Sequence, residues 1–221
     1  MKVFVTGANG FIGTHLAKEL IGRNIEVVAY DLVPPNQTLD GIQYEAGTIM
    51  DESHMGRLMK GCDAVFHLAA ILGVKRADRE LLRCLKVNIE GSFSVFRAAA
   101  LAGVERILLT SSSEIFGDIS HGDLDEKSAH NPKSGYAVSK LAAEYGLKGF
   151  CREYGQNYNI IRYFNVYGPR QVAEFVVPRF IRMAQNGIGP TIYGDGSQIR
   201  SFCHIFDASR ATMDLFLSGR G

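Results

Sequence analysis

Lys2-Val3-Phe4-Val5-Thr6-Gly7-Ala8-Asn9-Gly10-Phe11-Ile12-Gly13 is the stretch whose reading decides the fold. Lys2 to Thr6 is a nearly continuous apolar run of strand length, and the glycines break it at once. Beyond them Ile12, Leu16, Ala17, Leu20 and Ile21 fall on one face of a helix. That order leaves backbone N–H groups at the positive end of a helix, open to a pyrophosphate where no Cβ intervenes. The spacing is G-x-x-G-x-x-G rather than G-x-G-x-x-G, and alone it describes any tight strand-to-helix turn. Between a strand and an amphipathic helix it predicts dinucleotide binding, with Gly7, Gly10, Phe11, Ile12 and Gly13 around the cofactor and Gly13 packing helix on strand.

Working outward, Ile25 to Tyr30 reads as a second strand ending in Asp31, and Pro34-Pro35-Asn36 as a loop. Further strands are expected at Gly41 to Ala46, Ala64 to Leu68, Arg106 to Thr110 and Ile160 to Tyr163. Helices are expected over about 80–102, from Tyr136 to Tyr154 and over 172–187. Apolar strands alternating with helices imply an α/β fold, a Rossmann-like doubly wound parallel sheet covered on both faces. After Gly168-Pro169-Arg170 the alternation breaks down. Residues 1–167 are therefore expected to form the dinucleotide-binding domain with the catalytic helix. Residues 168–221 are expected to form a small, incomplete substrate lobe, with 203–218 returning to the first domain.

The 221 residues are 46% hydrophobic and 21% charged, ordinary for a globular chain. Net charge is +1, without a long basic run, which argues against a nucleic-acid partner. Cys62, Cys84, Cys151 and Cys203 are scattered with no C-x-x-C spacing, so buried thiols in a reducing compartment are expected, and no metal site. The opening apolar run stops at Gly7, too short for a signal peptide, and no stretch approaches about 18 uninterrupted apolar residues. A cytoplasmic protein without a membrane span is the expectation.

Asp31 lies at the end of the second strand, where a carboxylate accepts hydrogen bonds from an adenosine ribose and repels a 2′-phosphate. No arginine follows closely, so NAD is favoured over NADP. Tyr136 and Lys140 share a helix face at i,i+4. An ammonium near a phenol lowers the phenol's pKa, which makes Tyr136 a candidate base for an alcohol whose carbon gives up hydride. Tyr and Lys at that spacing are common on surface helices; the place after the fifth strand of a nucleotide fold sets this pair apart. Thr110-Ser111-Ser112-Ser113 ends that strand, where ligands sit in open parallel sheets.

The ordered set of Gly7-x-x-Gly10-x-x-Gly13, His67-Leu68-Ala69-Ala70, Asn88, Ser111-Ser112-Ser113, Tyr136-Ala-Val-Ser-Lys140 and Arg162 to Pro169 resembles the extended short-chain dehydrogenases, and within them the NAD-dependent nucleotide-sugar epimerase/dehydratase family. Tyr193 to Phe202 is similar to that family's late substrate motif. The resemblance implies Tyr136 as base, Lys140 as its tuner and ribose ligand, and Ser112 as the group orienting the sugar hydroxyl. It implies that Leu68, Ala69, Ala70 and Tyr163 line the cofactor, and that Asn165, Tyr193 and Arg200 contact a nucleotide diphosphate. His67 is left as a strand-end residue. Thr48, Phe116 and Ser201 depart from a common Asp, Tyr and Asp. Relatives typically run about a hundred residues longer, so either a truncated form or a missing distal lobe is expected.

The expected reaction is 4-epimerisation of a nucleotide sugar through a transient 4-keto intermediate. Glu114, after Ser112-Ser113, opens decarboxylation or 4,6-dehydration as an alternative, since a carboxylate there can serve as acid or base at a neighbouring sugar carbon. A non-catalytic NAD-binding protein is the other alternative. The resemblance also implies a homodimer through the helices near 80–102 and 136–154.

Overall fold

The computed structural model describes residues 1–35, 37–118 and 124–219; Asn36, Arg220 and Gly221 of the expected loop and terminus lie outside them. Six strands form one parallel sheet: β1 (Lys2–Thr6), β2 (Glu26–Asp31), β3 (Ile42–Ala46), β4 (Ala64–His67), β5 (Arg106–Ser112) and β6 (Asn157–Tyr163), in the order β3-β2-β1-β4-β5-β6. Alternation along each strand feeds two cores. Phe4, Val28, Val65, Ile107 and Leu109 pack on one side beneath α2 (Glu52–Met59), α5 (Gly91–Leu101) and α6 (Gly135–Tyr154). Val3, Val5, Val27, Phe66 and Leu108 pack on the other beneath α1 (Phe11–Gly22) and α8 (Ile205–Leu217). Within that second core Phe216 of α8 meets Phe66 edge-on, with ring centroids 4.8 Å apart. This is the expected Rossmann-like doubly wound sheet. The chain leaves β1 to one side for β2 and β3 and returns to its other side at β4. That reversal opens a crevice at the carboxyl ends of β1 and β4.

Where the structure differs from the expected elements, tertiary contacts explain most of it. The single helix expected over 80–102 is instead α3 (Val74–Arg79), α4 (Leu81–Leu85), a π-helical turn over Lys86–Glu90 and then α5. The wide turn holds Asn88, whose side chain is committed to groups outside the helix. α2 was not expected; Asp51 caps it by accepting from the His54 N–H at 2.9 Å, but only Met55 and Met59 are buried, too few for a visible period. α7 (Val176–Gln185) starts four residues later than expected and buries none of its residues. The two-residue strands β7 (Val166–Tyr167) and β8 (Cys203–His204) pair in parallel and are too short to read from sequence. No helix among the described residues is long and apolar enough to cross a membrane.

Candidate active site

The glycine turn sits where β1 meets the crevice. Gly7 has φ +67°, and a Cβ there would lie 2.7 Å from the Ala69 nitrogen in the segment after β4. A Cβ on Gly13 would overlap the Gly7 carbonyl oxygen, so the third glycine seats α1 on the turn. α1 begins with no side-chain cap and no acidic residue in its first turn, which leaves its N–H groups for an outside anion. Asp31 accepts from the Asn9 N–H at 3.0 Å and from the Val33 N–H at 3.1 Å, one oxygen each. Each carboxylate oxygen keeps lone-pair capacity toward a ribose hydroxyl. An uncapped helix end, a turn closed to any Cβ and a carboxylate at the tip of β2 fit a dinucleotide without a 2′-phosphate. Leu68, Ala69 and Ala70 form the crevice's other wall, and the Leu68 and Ala69 N–H groups both donate to Thr6 Oγ1 at 3.2 Å.

The second group of residues collects at the end of β5. Ser134 starts α6 by accepting from the Ala137 N–H at 3.1 Å, which places Tyr136 in the first turn and Lys140 one turn on. Tyr136, 8% exposed, shares a hydrogen bond with the Ser112 side chain. Lys140, 6% exposed, donates to the Thr110 carbonyl at 2.9 Å, and its Nζ lies 6.0 Å from the centre of the Tyr136 ring. Sequence reasoning expected this ammonium to bring the phenol down. Here burial pushes Tyr136 up to about 12, opposed by the Ser112 hydrogen bond and reinforced by the Glu114 charge. The physical reason is desolvation: the phenolate loses water in a packed site, while the ammonium is held by a backbone carbonyl. Burial also brings Lys140 down to about 8, with the Cys84 and Glu144 charges opposing it. It is therefore still largely an ammonium at neutral pH.

Ser112, Tyr136 and Lys140 are thus brought together, and the glycine turn, Asp31 and Leu68–Ala70 form a second group beside them. The remaining sequence-predicted residues sit elsewhere. Tyr163 is paired in register with Ser112, but its hydroxyl meets Thr212 Oγ1 of α8 at 2.7 Å, and burial raises its pKa to about 12. Thr212 gives its own hydrogen to the Ala208 carbonyl, so Tyr163 is the donor in that bond. Asn165 donates to the Ser201 carbonyl at 2.9 Å. Tyr193 is exposed beneath the Arg179 guanidinium at 5.8 Å, and Arg200 is exposed and bonded to the Ile199 carbonyl.

Three features escaped sequence reasoning. The Thr110 carbonyl, a backbone group, leaves no sequence signal. Asn88 was noted in the motif without a role. It accepts from the Ile71 N–H at 2.8 Å and donates to the Ile71 carbonyl and to Ser139 Oγ of α6. Glu144, one turn beyond Lys140, forms a two-bond ion pair with Arg162 of β6 at 2.8 and 3.0 Å. The 136-140-144 spacing was its available signal. Among the described residues no group of three His, Cys, Asp or Glu is placed to hold a metal ion.

Comparison with known proteins bears on these features. A profile described as the NAD dependent epimerase/dehydratase family matches residues 3–218. A UDP-N-acetyl-alpha-D-glucosaminuronate decarboxylase of Bacillus cytotoxicus is 34% identical over 96% of this chain and 70% of its own length. A dTDP-glucose 4,6-dehydratase of Streptomyces griseus is 30% identical over 99% of this chain and 70% of its own. Among solved structures, a UDP-glucuronic acid 4-epimerase from Bacillus cereus, in complex with UDP-glucuronic acid and NAD, superposes with a TM-score of 0.91. It is 29% identical, covering 100% of this chain and 74% of the other. The relatives thus carry the names of different reactions. With the family profile spanning nearly its whole length, the chain belongs to the NAD-dependent epimerase/dehydratase family, with NAD as its cofactor.

Proposed function

We propose that the protein is a nucleotide-sugar 4-epimerase acting through a transient 4-keto sugar. The observation that carries the proposal is the trio at the end of β5: Tyr136 bonded to Ser112, with Lys140 pinned on the Thr110 carbonyl beside it. Bound NAD supplies the acceptor and donor of hydride at C4. Ser112 orients the C4 hydroxyl, Tyr136 takes its proton as the ketone forms, and the same phenol returns the proton to the C4 oxygen once the turned ketone is reduced at its opposite face. Lys140 keeps a positive charge near the phenolate that this requires. Gly7, Gly10, Phe11, Ile12 and Gly13 hold the pyrophosphate, Asp31 the adenosine ribose, and Leu68, Ala69, Ala70 and Tyr163 line the cofactor. Asn165, Tyr193 and Arg200 hold the nucleotide diphosphate, Arg200 through charge-assisted hydrogen bonds.

One observation favours a second reaction on the same scaffold. The Glu114 carboxylate lies close enough for its charge to act on the Tyr136 phenol. A carboxylate there can move a proton at a carbon beside the 4-ketone, as decarboxylation or dehydration requires. Incubation with NAD and, separately, UDP-glucose, UDP-glucuronate and dTDP-glucose decides between them by mass and proton NMR. The expected result is an unchanged mass with inverted C4 coupling. Loss of carbon dioxide or water would replace epimerisation with the Glu114 reaction. NAD bound but never reduced would make the chain a binding protein.

A cytoplasmic homodimer is part of the proposal. Leu101 of α5 and Val138 and Tyr145 of α6 are exposed large side chains on the two helices concerned. Sedimentation is expected to give twice the chain mass, and a single-chain species would remove the dimer.

A further inference from the structure

His67 ends β4 in the middle of the molecule, 1% exposed, and takes no part in the chemistry above. Its two ring nitrogens are both occupied: Nδ1 lies 2.7 Å from Thr6 Oγ1 and Nε2 lies 2.8 Å from Ser92 Oγ. Each hydroxyl has one hydrogen, and counting donors settles where it goes. Ser92 spends its hydrogen on the Asn88 carbonyl at 2.5 Å, so it accepts from His67 Nε2–H. Thr6 Oγ1 already accepts the Leu68 and Ala69 N–H groups, so its hydrogen is left for His67 Nδ1. Both ends require the same tautomer, neutral with the proton on Nε2.

The bonds therefore run in one direction. Leu68 and Ala69 N–H give to Thr6, Thr6 gives to His67, His67 gives to Ser92, and Ser92 gives to the Asn88 carbonyl. Asn88 is the residue whose side chain grips both backbone groups of Ile71 and reaches Ser139, and Ser139 donates to the Tyr136 carbonyl at 2.7 Å. One end of the chain is the cofactor wall that Gly7 touches; the other is the first turn of the catalytic helix. We propose that His67, fixed as the Nε2-protonated tautomer, is a positioning residue that locks the Leu68–Ala69 cofactor wall to the Asn88 turn and so to the helix carrying Tyr136.

The surroundings keep the ring neutral. Phe96 stands edge-on to it with centroids 5.8 Å apart, and Lys140 is the charged group acting on it. Burial, with that charge adding, brings His67 down to about 3. A second proton would also turn Nδ1 into a donor facing the Thr6 hydrogen.

The test needs no turnover. In the chain labelled with nitrogen-15 histidine, the resonances lost in His67→Gln identify the residue. The expected spectrum is the Nε2–H tautomer, unchanged from about pH 5 to about pH 9, a range centred near the ordinary histidine value. A proton on Nδ1, or a titration within that range, would overturn the proposal. NAD titration gives a second readout. His67→Phe fills the space without either bond, and NAD affinity is expected to fall roughly tenfold or more, as for an unsatisfied buried group. His67→Gln keeps a donor toward Ser92 and is expected to recover most of that loss. Wild-type affinity in His67→Phe, or equal loss in both variants, would show that the ring does not act through Ser92.

Discussion

Tyr136→Phe is expected to cut turnover by about 10²–10⁴-fold, the usual worth of a positioned acid–base group, while leaving the fold and NAD binding close to wild type. The ring is buried in the first turn of α6, and phenylalanine fills the same volume. What disappears is the hydroxyl and its bond to Ser112. Because burial holds that phenol near 12, the ligand-free protein carries it protonated, which under the proposed reaction readies it to donate to a 4-keto oxygen. Acting as a base is the harder direction, and the nearby ammonium of Lys140 assists it. Product NMR against the substrate accepted by the wild type, together with NAD titration, separates the two effects. Turnover within tenfold of wild type, with binding intact, would remove Tyr136 from the chemistry.

The largest effect on stability is expected from Arg162→Leu. Glu144 is 1% exposed, and its two oxygens are met by two Arg162 nitrogens. Removing the guanidinium strands a carboxylate in the interior, at a cost of about 3–5 kcal/mol. In the wild type, burial alone would push the Glu144 carboxyl up. The Arg162 hydrogen bonds and charge, with the Ser111 hydroxyl adding, outweigh it and hold the carboxyl below its ordinary range. Its contribution to stability is therefore present above the unfolded carboxyl value and lost as pH falls through the lower folded one. In the variant the sign reverses, because burial is left without its counterweight and the acid form is preferred. The gap in urea midpoint between the two proteins is expected to be widest near neutrality and to narrow toward acid. A constant gap across pH would mean that lost packing over Phe116, where the guanidinium lies 5.2 Å from the ring centre, explains the damage instead.

How much of this could be read beforehand follows from how local each signal is. The strands of the sheet are short apolar runs because both faces are covered, and that was visible in Lys2–Thr6 and Ala64–His67. Tyr136 and Lys140 were visible because one helical turn joins them. The π-helical turn at Asn88 was hidden, since its cause is Ile71 and Ser139, distant in sequence. The acidity of Tyr136 was misjudged for a related reason: spacing shows the neighbouring charge, whereas desolvation depends on everything packed around the ring. Tyr193 and Arg200 were singled out by resemblance, and both lie in the exposed stretch 188–202, where local pattern says nothing about what they meet.

The pairing of Ser111 with Arg162 and of Ser112 with Tyr163 gives the polar end of β5 a phase. Ser111 is turned to the α6 side, where its buried hydroxyl acts on the Glu144 carboxyl, while its neighbour, Tyr163-paired Ser112, reaches the phenol at the strand's end. The consecutive serines are chemically identical, yet they are not spares for one another. Shifting the strand by one residue would send the phenol-facing hydroxyl beneath the helix and the buried one into the crevice. Serial position thus behaves like a reading frame here: length is as tightly specified as composition, and a one-residue indel in β5 exchanges the surroundings of the two hydroxyls.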